Sequence, residues 1–376
     1  MGGVDLLRAI AVSSVFFFHF QWFQPGWLGV DLFFVLSGFL IGGAIIDQAQ
    51  RGTWSYRRFY LHRAMRILPV YYLFILLKSA LVGLPLADHS PAFSLASVGA
   101  AMSFMQTSSI WYFGWMADAK FVPGGTWSLV IEEYFYLLCP VLLVTVWSIY
   151  RSHRALMTAL LLACVSAPIV RYLSNYHYAP DDKDWYFASW LQFRSRYDTL
   201  VFGVIAALIV RKWDFSLRQR AIAFSAGAAI LAGVLGYLVN SRMWLHSGQT
   251  TRLAAQWFPF LLGAAFALIL AAIHKMRCRA VFIAVIARLS FVIYLGHIFL
   301  QELYGSYSGS SILLVQQLKS MTSAEGTLVF GVATLALSYL VSLLVEYPFI
   351  RLYRKPAAPI EEAAESSIIT ERGVLE

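Results

Sequence analysis

An all-α, polytopic helix bundle embedded in a membrane is the fold class this sequence predicts, and three observations predict it. The 376-residue chain is 59% hydrophobic and only 13% charged, against about 45–50% and about 25% in soluble domains. Its apolar residues gather in runs of about 20, the length a helix needs to cross the hydrocarbon core. Between these runs Lys and Arg cluster in alternate loops, the bias that sets orientation in a bilayer. A net charge of +9 would suggest nucleic acid in a soluble protein. Here its placement makes it topological, so a lipid bilayer is the expected partner and nucleic acid is not.

Ten spans follow in order. The first, 4–23, is apolar but carries Arg8 and His19, and no basic leader or small-residue cleavage site precedes it, so it reads as a retained span. The second, 28–47, opens GWLGVDLFF and is rich in glycine; the third, 67–86, follows the basic stretch RGTWSYRRFYLHRAMR. The fourth, 127–149, starts at a Pro-Gly-Gly turn, and RSHR separates it from the fifth, 155–174. The sixth, 197–211, is the shortest; 220–239, 255–274, 281–301 and 326–349 complete the set. Loops 48–66, 150–154, 211–220, 274–280 and 350–376 hold eighteen Lys and Arg, and the opposite loops only seven, which places both termini in the cytoplasm.

Segment 93–112 is also apolar. Basic stretches on both sides of it (51–66 and 151–154) require an even number of crossings, which 67–86 and 127–149 already supply. It therefore reads as re-entrant or interfacial, a conformation tolerated where protein covers the backbone. Residues 1–355 form one transmembrane domain, and 356–376, polar and rich in Pro, Ala and Glu, read as a disordered cytoplasmic tail. Cys139, Cys164 and Cys278 have the spacing of neither a zinc site nor a disulfide framework, and no metal is expected.

Ionisable residues inside spans are expensive and mark candidate sites. Arg8 and His19 are eleven residues apart, which returns them to nearly one helix face about 16 Å apart along the axis. Arg8 is equally readable as a snorkelling anchor, and His19 as a hydrogen-bonded packing residue. Asp31 lies just inside the second span, where a helix N-terminus also favours a carboxylate. In PGGTWSLVIEEYFYLLCP, Ser128 and Glu132 share a face, and Glu132 adjoins Glu133. His19, Asp31 and Glu132 each fall three to five residues inside the outer boundary of their spans, so one level would hold an imidazole and the carboxylates that orient it for general-base work on a hydroxyl. Arg63 and Arg66, at i,i+3 in the first basic loop, read as topogenic charge or as a phosphate clamp. Trp127, Glu133, Arg196 and His297 are candidates to contact a second substrate. Arg288 and His297, nine residues apart, point to opposite faces, and Glu346 could pair with a basic loop.

Together these stretches resemble the acyltransferase-3 family of polytopic bacterial membrane proteins. LRAIAVSSVFFFHF, GWLGVDLFFVLSGFLIGG, RRFYLHRAMRILPVYY, GGTWSLVIEEYFYLLCP, RYDTLVFG, ARLSFVIYLGHIFL and VEYPFIR run in family order from residue 6 to 351. The family's Arg-x10-His pair falls on Arg8 and His19, its Arg-x-x-Arg on Arg63 and Arg66, and its Ser-Leu-x-x-Glu on Ser128, Leu129 and Glu132. Two departures stand out: Tyr134 replaces a common glutamine, and Gly296 replaces a tryptophan before His297. The resemblance implies a multi-pass protein of the bacterial inner membrane that transfers an acyl group, expected to be acetyl, from acetyl-CoA to a hydroxyl of an extracytoplasmic glycan such as O-antigen or exopolysaccharide, free or lipid-linked. Arg8, Arg63 and Arg66 would hold the donor's phosphates. His19 would act as base or transiently take the acyl group, with Glu132 or Asp31 orienting it and Ser128 stabilising the oxyanion or carrying the acyl group. Members with an added esterase-like domain complete the transfer outside; this chain is expected to act alone or with a separate partner. O-acylation of a small secondary metabolite such as a macrolide, and transport or flipping of a substrate, are the alternatives.

Overall fold

The computed structural model describes residues 2–82, 95–107, 126–175, 190–240, 252–277, 280–308 and 312–353. Helices account for nearly all of them: α1 (Gly3–His19), α2 (Leu28–Gln50), α3 (Tyr56–Val82), α4 (Leu95–Met102), α5 (Trp127–Tyr150), α6 (His153–Asn175) and α7 (Tyr197–Lys212). They continue with α8 (Leu217–Asn240), α9 (Arg252–Ile273), α10 (Val281–Ser306), α11 (Leu313–Ser320), α12 (Ser323–Val341) and α13 (Tyr347–Tyr353), the last two joined by a π-helical turn at Ser342–Glu346. The fold is the all-α membrane bundle expected. Eight of its helices are long and apolar enough to cross a bilayer. The other two expected spans, α1 and α7, have 17 and 16 residues, about 25 Å each. A short 3₁₀ turn, Phe193–Ser195, precedes α7, and another, Gln24–Trp27, runs directly into α2.

Helix α2 is the centre. It is apolar on all sides, the signature of a helix surrounded by protein, and 72% of its apolar window is buried, against 17% for α8 and α12, which face outward. Its glycines set how closely α7 can approach. A Cβ at Gly38 would stand 1.9 Å from the Leu200 carbonyl oxygen, and one at Gly203 would stand 2.1 Å from that of Val35, so only glycine permits this crossing. Around this pair α9 and α6 pack on α7, α1 and α5 pack on α2, and α10 binds α1, α3 and α12 together.

Two fully buried ion pairs tie the centre to its surroundings. The Arg196 guanidinium donates to Asp31 Oδ1 at 2.5 Å, joining the turn before α7 to α2. Arg171 on α6 donates two bonds to the Asp198 carboxylate, at 2.9 and 2.8 Å, and two more to the carbonyls of Ser195 and Gln256.

One boundary changes. Helix α3 begins at Tyr56, eleven residues before the predicted 67, so Arg63 and Arg66 belong to a helix and not to a loop. Hydropathy misplaces this boundary because a membrane helix continues into the headgroup zone, where long basic side chains reach water. Of 93–112, residues 95–107 are described and the remainder lies outside the described residues. Helix α4 has eight residues, about 12 Å, too short to cross. Tyr71, Tyr72 and Tyr134 hold it by donating to the carbonyls of Ala101, Met102 and Phe104. The expected tail, 356–376, and Cys278 lie outside the described residues.

Candidate active site

A cavity of about 440 Å³ opens between α1, α2, α3, α5 and α10, within the size range of small-molecule sites. Arg8, Arg63 and Arg66 line it together. Arg8 projects from the second turn of α1, while Arg63 and Arg66 lie one turn apart on α3. The Arg63 guanidinium lies 3.7 Å from the centre of the Tyr136 ring, a cation–π contact that fixes its plane. Arg66 stands in the electrostatic field of Arg63, Arg8 and Glu346. Glu346, in the π-helical turn, accepts a 2.6 Å bond from Ser342.

Glu132 and Ser128 lie deeper, one turn apart on α5, and both line the cavity. Glu132 accepts from Tyr136 Oη at 2.5 Å and from Ser37 Oγ on α2 at 2.9 Å. Ser128 Oγ shares a 2.7 Å hydrogen bond with Tyr294 Oη of α10. Phe33, Phe34 and Leu36 supply apolar wall. Five of the expected residues (Arg8, Arg63, Arg66, Ser128, Glu132) thus meet in one space. Tyr136 and Tyr294 are additions that sequence reasoning missed. The spacing Ser128–Glu132–Tyr136, at i, i+4 and i+8 on one helix face, was the available signal for Tyr136.

The remaining candidates lie elsewhere. His19 does not line the cavity; it sits half-buried at the end of α1, its ring centre 5.2 Å from that of His297. His297 is fully buried, and its ring is 5.9 Å from that of Tyr294. The sequence therefore becomes cavity, Tyr294, His297, His19. The two carboxylates expected to orient His19 each bind another partner. Asp31 is bound to Arg196, and its Oδ2 has no hydrogen-bond partner among the described residues, so it does not orient His19. Arg196 is 99% buried and stands 4.9 Å from the Trp190 ring and 6.0 Å from the Trp127 ring, an ion-pair partner and not an exposed binding group. Glu133 does not line the cavity, and its Oε1 is buried with no hydrogen-bond partner among the described residues. Arg288 is exposed and His297 buried, on opposite faces as their spacing requires.

The model of the acyltransferase-3 family, described as an acyltransferase domain, matches residues 1–346. The chain belongs to this family. It is a multi-pass membrane protein whose family motifs converge from five helices on one cavity. Among curated relatives, "Putative peptidoglycan O-acetyltransferase YrhL" of Bacillus subtilis is 36% identical over 174 residues, 43% of this chain and 27% of that protein. "Putative O-acetyltransferase SAS0844" of Staphylococcus aureus is 29% identical over 218 residues, covering 56% and 35%. "Peptidoglycan O-acetyltransferase OatA" of Listeria monocytogenes is 32% identical over 154 residues, covering 38% and 24%. The chain thus spans about a quarter to a third of the length of these relatives. No solved structure matches it.

Proposed function

We propose that this protein is a membrane O-acyltransferase, moving an acyl group, most simply acetyl, from acyl-CoA at the cytoplasmic face to a hydroxyl of a cell-envelope glycan on the far side of the inner membrane. The observation that carries this reading is the convergence of three arginines at one end of a cavity whose other polar groups, among the described residues, are hydroxyls and one carboxylate. Like charges gathered in a low-dielectric interior repel unless an anion joins them, and guanidinium matches phosphate in a bidentate fork. The Lys and Arg bias puts the arginine end at the cytoplasm, where acyl-CoA is made. The names of the relatives favour peptidoglycan as the glycan, ahead of O-antigen or exopolysaccharide.

Arg8, Arg63 and Arg66 hold the donor phosphates, and the pantetheine arm enters the cavity toward Ser128 and Tyr294. The Ser128 hydroxyl faces the thioester carbonyl and stabilises the oxyanion that forms there. His19 takes the proton of the acceptor hydroxyl as its oxygen bonds to the acyl carbon. The carbon–sulfur bond then breaks, and His19 returns the proton to the departing thiolate, giving CoA thiol and ester with nothing left over. Tyr294 stands between the cavity and His19, so its side chain turns aside for the thioester and the base to meet. Glu132, bound by Ser37 and Tyr136, braces the cavity wall; it does not orient His19.

The test uses membrane vesicles supplied with acyl-labelled acetyl-CoA. Wild type should pass label to a glycan fraction, His19→Ala should not, and Arg66→Ala should do so only at raised donor concentration. Equal labelling by wild type and His19→Ala would refute the scheme. An unchanged donor dependence in Arg66→Ala would remove the phosphate clamp.

A further inference from the structure

Three arginines mark one end of the cavity, and the opposite end is apolar. We propose that Phe33 sets the length of the transferred acyl group, closing that end so that a two-carbon group fits and longer groups do not. This rests on the acyltransfer reading above and adds to it the size of the group carried.

The lining helices fix which end is which. Tyr136 lies against Arg63, and Ser128, eight residues before it on α5, stands about 12 Å further along the axis. Tyr294 of α10 meets Ser128 at 2.7 Å, so both mark the far end. On α2 the lining runs from Ile41 to Val30, a rise of about 16 Å. Ser37 lies between, at the level of Glu132, to which it donates. Phe33 is one turn beyond Ser37, with its ring centre 6.2 Å from that of Tyr294 and the planes inclined at 73°. A pantetheine arm, with two amide units, reaches on the order of 15–20 Å when extended. With its phosphates on the arginines, its thioester carbon therefore arrives beside Ser128, and whatever it carries points at Phe33.

The surroundings make Phe33 the stop. Phe34, Leu129 and Val30 are 0%, 5% and 7% exposed, and the Phe34 ring is backed by that of Trp127 at 6.3 Å. Phe33 is only half-buried, lines the cavity and packs against both apolar clusters of the bundle. Its ring is thus a surface on which the cavity ends, carried by the central helix. Tyr294 is no fixed stop, since it turns aside for the base and the acceptor oxygen takes the room it leaves. A methyl beyond the carbonyl rests against the Phe33 ring, whereas each further methylene must displace it. One methylene in an apolar site discriminates by about 10–200-fold, and overfilling a packed interior is unfavourable. A longer group cannot gain room by sliding the donor back, because the arginines hold its phosphates.

The test supplies membrane vesicles with acetyl-, propionyl- or butyryl-CoA, each labelled in the acyl group, and measures initial rates of transfer to the glycan fraction. Wild type should prefer acetyl over butyryl by about a hundredfold or more, at tenfold or more for each of two methylenes. Phe33→Ala should raise the butyryl rate until the two lie within about tenfold, and Phe33→Val should fall between. A gained substrate cannot arise from misfolding, and Phe33→Val keeps a branched side chain on α2 should Phe33→Ala fail to fold. Ile41→Ala enlarges the same cavity near the arginines and should keep the acetyl preference. Equal acetyl and butyryl rates in wild type would overturn the proposal. So would an acetyl preference unchanged in folded Phe33 variants, or one relaxed as far by Ile41→Ala as by Phe33→Ala. Failure of the underlying acyltransfer reading would show separately, as wild-type vesicles that transfer none of the three acyl groups above the level of His19→Ala, and the proposal would fall with it.

Discussion

Asp31 and Arg196 form a buried pair that can be dismantled one charge at a time, and the two readings of Asp31 predict different results. Both side chains are at most 1% exposed. Arg196→Met leaves the carboxylate without its guanidinium, and removing one partner of such a pair costs about 3–5 kcal/mol. Asp31→Asn strands the guanidinium instead, but Trp190 at 4.9 Å and Phe34 at 5.7 Å still offer their ring faces. A desolvated cation–π contact returns about 2 kcal/mol at best, so this variant should lose less. The double variant Asp31→Leu/Arg196→Met removes both charges and should regain most of the loss, since apolar replacement of a whole buried pair is often neutral. Tryptophan fluorescence during heating in detergent reads these differences. A shift of about 5–10 °C is expected for Arg196→Met, a smaller one for Asp31→Asn, and a return toward wild type for the pair. If Asp31→Asn abolished acyl transfer while its melting midpoint stayed at that of wild type, Asp31 would belong to the chemistry and the structural argument would fall.

Two further outcomes follow from close contacts. Gly38→Ala places a methyl 1.9 Å from the Leu200 oxygen, so α2 and α7 must separate by about 1 Å or more to reach van der Waals distance; a lower melting midpoint and yield are expected, whereas Gly233→Ala on outward-facing α8, with nothing within 4 Å, should be neutral or slightly stabilising. Tyr136→Phe removes the 2.5 Å bond to Glu132 but keeps the ring beneath Arg63; steady-state kinetics should show an unchanged donor KM and a kcat reduced by about tenfold or more, and an increased KM alone would contradict this placement.

The fold was legible because the bilayer permits so few solutions. Each of the ten expected spans is a helix, and the arithmetic that set Arg288 and His297 on opposite faces holds. What the sequence concealed is partnership. Asp31 and Arg196 are 165 positions apart, and nothing in either motif says that one neutralises the other. Depth from the span boundary put His19, Asp31 and Glu132 at one level, but depth carries no information about azimuth, and their helices turn those side chains toward different neighbours. Tyr136 was hidden by abundance: in a chain that is 16% aromatic, one more tyrosine looks like packing. Arg63 and Arg66 were found despite their helix being missed, because i,i+3 spacing needs only one turn. Their meeting with Arg8 required the tertiary fold.

The charge balance of the interior separates what holds the bundle from what it holds. Asp31–Arg196 and Asp198–Arg171 are each neutral as pairs, so they join helices without asking for a ligand. The cavity differs: among the described residues its lining carries three guanidinium groups against the one carboxylate of Glu132. An uncompensated excess of positive charge among apolar walls lowers stability, and an anion that fills it should return that loss. Coenzyme A carries both phosphates and a pantetheine arm, whereas pantetheine has the arm alone. A ligand that binds only the folded state stabilises by about 2.7 kcal/mol at a hundred times its dissociation constant. Coenzyme A should therefore raise the melting midpoint of the detergent-solubilised protein by several degrees, pantetheine at the same concentration should not, and Arg63→Ala/Arg66→Ala should abolish the difference. If pantetheine protected as well as coenzyme A, the arginines would not be reading phosphate, and their convergence would need another explanation.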